Sequence, residues 1–309
     1  MKYIGLQSQI NRNNFRSILV LLAFPAVILL GVYIFFSFLY YPYYQVANWY
    51  FLFYLPWIAG GVAIWFLIAY KFHSSLIRLS TKSTTLNRKE NMRVYNLTEN
   101  LCISVGMKMP KLHVIQSDAL NAYASGLNEK TYAVTLTTGI IDRLTDKELE
   151  GVIAHELSHI RNKDVRLLII SIIFVGILGF LVQLLFRSLL YGGSGRRKDS
   201  KIDGRVMLVA LAIGVVVYML TILFKFALSR KREYLADASA VEMTKDPIAM
   251  ASALRKISTN HELDVKSADV KQMFIANGKS KRKNLFNKLA GLFATHPPID
   301  KRIAVLEQM

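Results

Sequence analysis

Cysteine is nearly absent: one thiol, Cys102, stands in 309 residues. A lone cysteine excludes an intramolecular disulfide and builds no thiolate metal framework. It reads as a small, half-buried side chain in an apolar stretch. Charge is also scarce, at 19% of residues, against about 25% in soluble domains. Acidic residues are the rarer sign, 21 against 39 basic ones, for a formal net charge of +18. A basic chain suits an anionic partner. Zinc-finger spacing and RNP motifs are missing, which argues against nucleic acid. The lysines and arginines mostly flank apolar runs, as expected beside an anionic bilayer. Internal repeats and low-complexity tracts are missing too, so solenoids and linker-like tails are excluded.

What the chain has in excess is apolar residues, 53% of the total, beyond the needs of one core. They concentrate in four long uncharged runs, residues 17–40, 51–70, 167–186 and 206–224. Each is near or above the roughly 20 residues that a membrane-crossing helix needs. The first run is longer than a signal-peptide core and no A-x-A site follows it, so it reads as a retained anchor. Lys2, Arg12 and Arg16 precede it, and Lys71, Arg78, Lys82, Arg88 and Lys89 follow the second run. The link between the two is uncharged and rich in Tyr and Trp. Positive residues mark the cytoplasmic side, so the N-terminus and the chain after Tyr70 are expected there. The loop after the third run carries Arg196, Arg197, Lys198, Lys201 and Arg205. That charge opposes crossing by the second hairpin, while the length of its two runs favours it.

The expected organisation is a cytoplasmic N-terminus (1–16), a transmembrane hairpin (17–70), and a catalytic domain in two parts (71–166 and 225–309). A second hydrophobic hairpin (167–224) is inserted between them. The soluble parts read as α+β, mainly helical around a small sheet. Residues 111–116 (KLHVIQ) and 131–137 (TYAVTLT) read as strands. Thr145 and Glu148 form a capping-box pattern that opens a helix to about Ile160. Further helices are expected over 225–243, 247–258 and 300–307.

Inside the capped helix stand His155, Glu156 and His159, an H-E-x-x-H pattern. A spacing of four residues brings two imidazoles within about 40° of each other, one turn apart. Both can reach one metal ion. Glu156 lies about 100° round the helix, where its carboxylate can take a proton from water that zinc has acidified. A catalytic zinc site keeps three protein ligands and an open position. Glu233, on a later helix, is the best candidate for the third; a salt bridge to a neighbouring arginine or lysine is the alternative. Asp237 follows it by one turn and can hydrogen-bond the free nitrogen of a ligating histidine.

The combination HELSH, then SRKREYLADASA after a hydrophobic run, then THPPIDKR, resembles the HtpX-type membrane zinc metalloproteases. These are relatives of the CAAX prenyl protease. The resemblance extends over nearly the whole chain, including the N-terminal hairpin and NAYASG at 121–126. It implies a gluzincin-like site holding one Zn2+ through His155, His159 and Glu233, with Asp237 behind the ligands. It also implies a role in quality control, cleaving misfolded or damaged membrane proteins on the cytoplasmic side of the cell membrane. Asn121 and Ala122 look like the edge segment that binds substrate backbone in related peptidases; a turn-forming Asn121 is the alternative. His296 and Arg302 are candidate oxyanion stabilisers, or else members of a structural polar cluster.

The leading expectation is therefore a zinc endopeptidase whose partners are the lipid bilayer and unfolded or membrane-protein substrates. A non-proteolytic scaffold or chaperone needs a closed metal site, and no fourth ligand is obvious. A processing enzyme for defined C-termini has more membrane helices than the four runs supply.

Overall fold

The computed structural model describes residues 6–191, 230–260, 273–275 and 297–309, with isolated positions between 211 and 218. Two compact units emerge. One comprises Met1–Phe15, Phe72–Ile169 and Phe226–Met309; the other comprises Arg16–Lys71 and Ile170–Lys225.

The second unit is built on long apolar helices. Helix α1 (Leu6–Leu39) and helix α2 (Tyr44–Thr81) contain Pro25 and Pro56 without breaking. Segments Leu21–Leu39 and Tyr44–Thr81 are long and apolar enough to cross a membrane. Almost none of that apolar surface is buried, whereas a soluble core helix hides its apolar face. Tyr41, Tyr43 and Trp49 are exposed near the turn between the two helices. The third run lies in helix α6 (Asp164–Tyr191). The fourth falls almost wholly outside the described residues. Among the described residues, two helices are candidate spans by length and composition.

The first unit holds a four-stranded mixed sheet. Strands β1 (Thr84–Thr85), β2 (Lys111–Ile115), β3 (Ala122–Ser125) and β4 (Ala133–Thr137) stand in the order β1-β2-β4-β3. β2 and β4 pair in parallel; the other pairs are antiparallel. β2, β3 and β4 are buried almost throughout, so their sequences lack clean polar alternation. Gly126, just after β3, has φ of 113°, and a Cβ there would lie 2.5 Å from the Thr131 carbonyl oxygen. Only glycine lets the chain double back into β4 at that point. β3 is left on the edge of the sheet.

Helix α5 (Asp146–Arg161) is the centre of this unit, packing against β3, α3 (Met92–Ser104), α7 (Arg230–Thr244) and α8 (Pro247–Thr259). Its start is the expected capping box: Thr145 accepts from the Glu148 amide, and Glu148 accepts from the Thr145 amide. Leu149, Val152, Ile153, Ala154 and Leu157 are fully buried around it. Among the described residues, two short helices complete the unit, α4 (Thr138–Arg143) and α9 (Ile299–Leu306). Cys102 is buried on α3, where burial pushes its thiol up to about 11.

Candidate metal centre

Two helices packed against each other supply the site. α5 presents His155 and His159 on one face, and α7 presents Glu233 and Asp237 one turn apart. The structure brings His155, His159 and Glu233 together: one ligand atom from each lies within 4.8 Å of the others. The Nε2 atoms of His155 and His159 are 3.2 Å apart. Glu233 Oε2 lies 3.7 Å from His155 Nε2, and Oε1 lies 3.5 Å from His159 Nε2.

These spacings fit a divalent ion. Tetrahedral zinc with bonds of about 2.0–2.2 Å sets its ligand atoms about 3.3–3.5 Å apart. Both imidazoles also present Nε2 inward because Nδ1 is held from behind. His155 Nδ1 donates to Asp237 Oδ1 at 3.0 Å, and His159 Nδ1 donates to Asp164 Oδ2 at 3.3 Å. A carboxylate on the far nitrogen fixes tautomer and ring orientation. Sequence reasoning named Asp237 and missed Asp164. The signal was weak: α5 is capped at Asn162, and Lys163 turns the chain with a φ of 59°. That left-handed residue brings Asp164 back under His159, and helical periodicity does not anticipate it.

Arg302 stands behind the candidate ligands. Its guanidinium is fully buried and forms a two-pronged pair with Asp237, Nε to Oδ2 at 2.8 Å and Nη2 to Oδ1 at 2.6 Å. Nη1 lies 3.3 Å from Glu233 Oε2 and donates to the Ile275 carbonyl at 3.3 Å. All three nitrogens thus serve the groups behind and beside the candidate ligands. His296, the other candidate oxyanion stabiliser, lies outside the described residues.

The electrostatics follow from burial. Desolvation lowers His155 to about 4, against the pull of Asp237. Desolvation also opposes charge on His159, but the Asp164 hydrogen bond and Glu233 outweigh it and raise this group to about 9. Asp237 resists desolvation because Arg302 and His155 hold it down to about 2. Glu156 is buried with its carboxylate accepting from the Ala124 amide; burial lifts it to about 7, with Glu233 adding and His159 opposing. A carboxyl poised near neutrality suits a general base.

Asn121 and Ala122 sit where β3 begins, and both are only 1% exposed. The Asn121 side-chain oxygen accepts from the Ala122 amide at 3.0 Å. The outer side of this edge is covered by residues 273–275, whose Ile275 amide donates to the Ala122 carbonyl at 2.9 Å.

Two histidines one helical turn apart, a carboxylate ligand from a second helix, a buried glutamate beside them and an adjoining sheet edge define a metallopeptidase. Residues 88–309 match the model of peptidase family M48. The Protease HtpX homolog of Bacteroides fragilis is 51% identical, over 100% of both chains. That of Dictyoglomus turgidum is 39% identical, over 81% of this chain and 82% of its own. The crystal structure of S. mikatae Ste24p superposes with a TM-score of 0.48 at 19% identity, covering 91% of this chain and 61% of that one. The chain belongs to peptidase family M48, as an HtpX-type protease.

Proposed function

We propose that this chain is a zinc-dependent endopeptidase of the cell membrane that degrades misfolded or damaged membrane proteins from the cytoplasmic side. The observation that carries the chemistry is the convergence of His155, His159 and Glu233 beside the buried Glu156. The observation that favours a membrane setting is the exposed apolar surface of Leu21–Leu39 and α2.

His155, His159 and Glu233 would hold the ion. When bound, zinc supplies Lewis acidity, which acidifies water and polarises the scissile carbonyl. Glu156 takes the proton from the attacking water and delivers it to the leaving amine nitrogen. Asp237 and Asp164 keep the imidazoles oriented. Arg302 steadies Asp237 and Glu233 and offsets their charge, which otherwise opposes burial of two carboxylates. The substrate backbone adds to the β3 edge at Ala122, beside Asn121, a mode that reads main chain rather than sequence. Such reading suits a quality-control enzyme, because unfolded segments of many sequences offer free backbone.

Metal analysis of the purified full-length chain, paired with hydrolysis assays, tests this. One zinc per chain and chelator-sensitive cleavage of an unfolded membrane protein, but not of its folded form, are expected. Cleavage only at a defined C-terminus would instead indicate a processing enzyme, and stoichiometric zinc without any hydrolysis would indicate a scaffold.

A further inference from the structure

The outer edge of β3 carries a pattern of its own. Backbone groups on a strand alternate in direction. The Thr137 amide donates to the Asn121 carbonyl at 3.1 Å, so odd-numbered residues face β4. Leu120, Ala122 and Ala124 therefore present their backbone to the open edge. Each of these residues already has an internal partner. The Leu120 amide donates to the Asn260 carbonyl at 2.6 Å, and the Ala122 carbonyl accepts from the Ile275 amide. The Ala122 amide is taken by Asn121, and the Ala124 amide by Glu156.

Residues 273–275 reproduce what a bound peptide would do. The Ile275 amide pairs with the strand, while its carbonyl is held by Arg302, the cation next to Glu233. Met273, Phe274 and Ile275 are all buried, and the Phe274 ring meets Tyr123 edge-on with centroids 5.0 Å apart. Three consecutive buried apolar side chains on a sheet edge that must accept substrate present a conflict. The Ala122 carbonyl cannot serve a substrate amide while Ile275 occupies it in this geometry.

We propose that residues 273–275 are a built-in pseudosubstrate: they hold the β3 edge in the resting enzyme, and an extended peptide must displace them to bind. The inference rests on the peptidase reading given above. It makes substrate binding a competition, so the segment raises the apparent KM for peptides and leaves kcat alone. It also favours substrates that bring long extended stretches, because these regain along β3 the bonds that the segment gives up.

Hydrogen exchange on the zinc-loaded, full-length protein tests the idea without relying on turnover. The Ile275 amide should be protected in the free enzyme and lose that protection when a peptide hydroxamate saturates the site. In parallel, Ile275→Pro removes the donor to Ala122; it should lower KM for a short unstructured peptide about fivefold, the equivalent of one net hydrogen bond, with kcat unchanged and Ile275→Val like wild type. Protection of Ile275 that persists with hydroxamate bound would overturn the proposal and make the segment a fixed wall of the cleft, whatever the proline variant does. Failure of the hydroxamate to bind zinc-loaded protein would remove the peptidase reading together with this one.

Discussion

Asp237 and Asp164 divide the work of holding the metal ligands: each carboxylate grips one imidazole by Nδ1, at 3.0 and 3.3 Å. Glu233, by contrast, offers a ligand atom itself. The two kinds of residue should therefore fail differently. Glu233→Ala leaves two imidazoles and should lose most bound zinc. Asp237→Asn and Asp164→Asn should each weaken zinc retention about 10–100-fold and recover at raised free zinc. Zinc stoichiometry titrated against free zinc measures all three; wild-type affinity in Glu233→Ala would remove it from the ligand set. The legibility of these residues in the sequence follows their spacing. His155, Glu156 and His159, and Glu233 with Asp237, repeat at helical intervals and can be read one-dimensionally. Asp164 depends on a single left-handed residue, Lys163, and Arg302 on a helix far along the chain meeting α7. Tertiary proximity of that kind leaves no periodic trace.

α5 carries the chemistry, and Glu148 anchors its first turn to a neighbour. Besides closing the capping box, it accepts from Ser252 Oγ at 2.6 Å and from Lys256 Nζ at 2.7 Å, both on α8. Desolvation opposes the charge, but these bonds prevail and hold the carboxyl at about 2, below its ordinary 4.5. A depressed carboxyl stabilises the fold fully above its unfolded value and loses that contribution as pH falls from about 4.5 towards about 2. Glu148→Gln should therefore cost roughly 1–3 kcal/mol at pH 7. Thermal melts in detergent should show the gap to wild type narrowing below pH 4. A gap independent of pH would mean that the charge is irrelevant. The helix over 146–161 was legible because its cap and apolar face coincide, and those over 230–244 and 247–259 from their helical pattern alone. β1 and α4 were not: a two-residue strand and a six-residue helix are too short to show a period.

For the whole molecule, the long apolar helices α1 and α2 were plain in composition alone, because uncharged runs of about 20 apolar residues stand out from any amphipathic pattern. The basic residues on both sides of this pair predict that the peptidase unit faces the cytoplasm. Lys89→Cys tests this, because Lys89 is exposed and the native Cys102 is buried with its thiol raised to about 11, hence silent. An impermeant maleimide should label Lys89→Cys only after the cells are opened; labelling of intact cells would reverse the topology. The central claim, that this assembly is a zinc endopeptidase driven by Glu156, is tested most directly by Glu156→Gln. Zinc content and hydrolysis of an unfolded membrane protein should be measured on the same preparation. One zinc per chain is expected, as in wild type, with turnover reduced at least about a hundredfold because the amide cannot accept the water's proton. Wild-type turnover by this variant would contradict the claim.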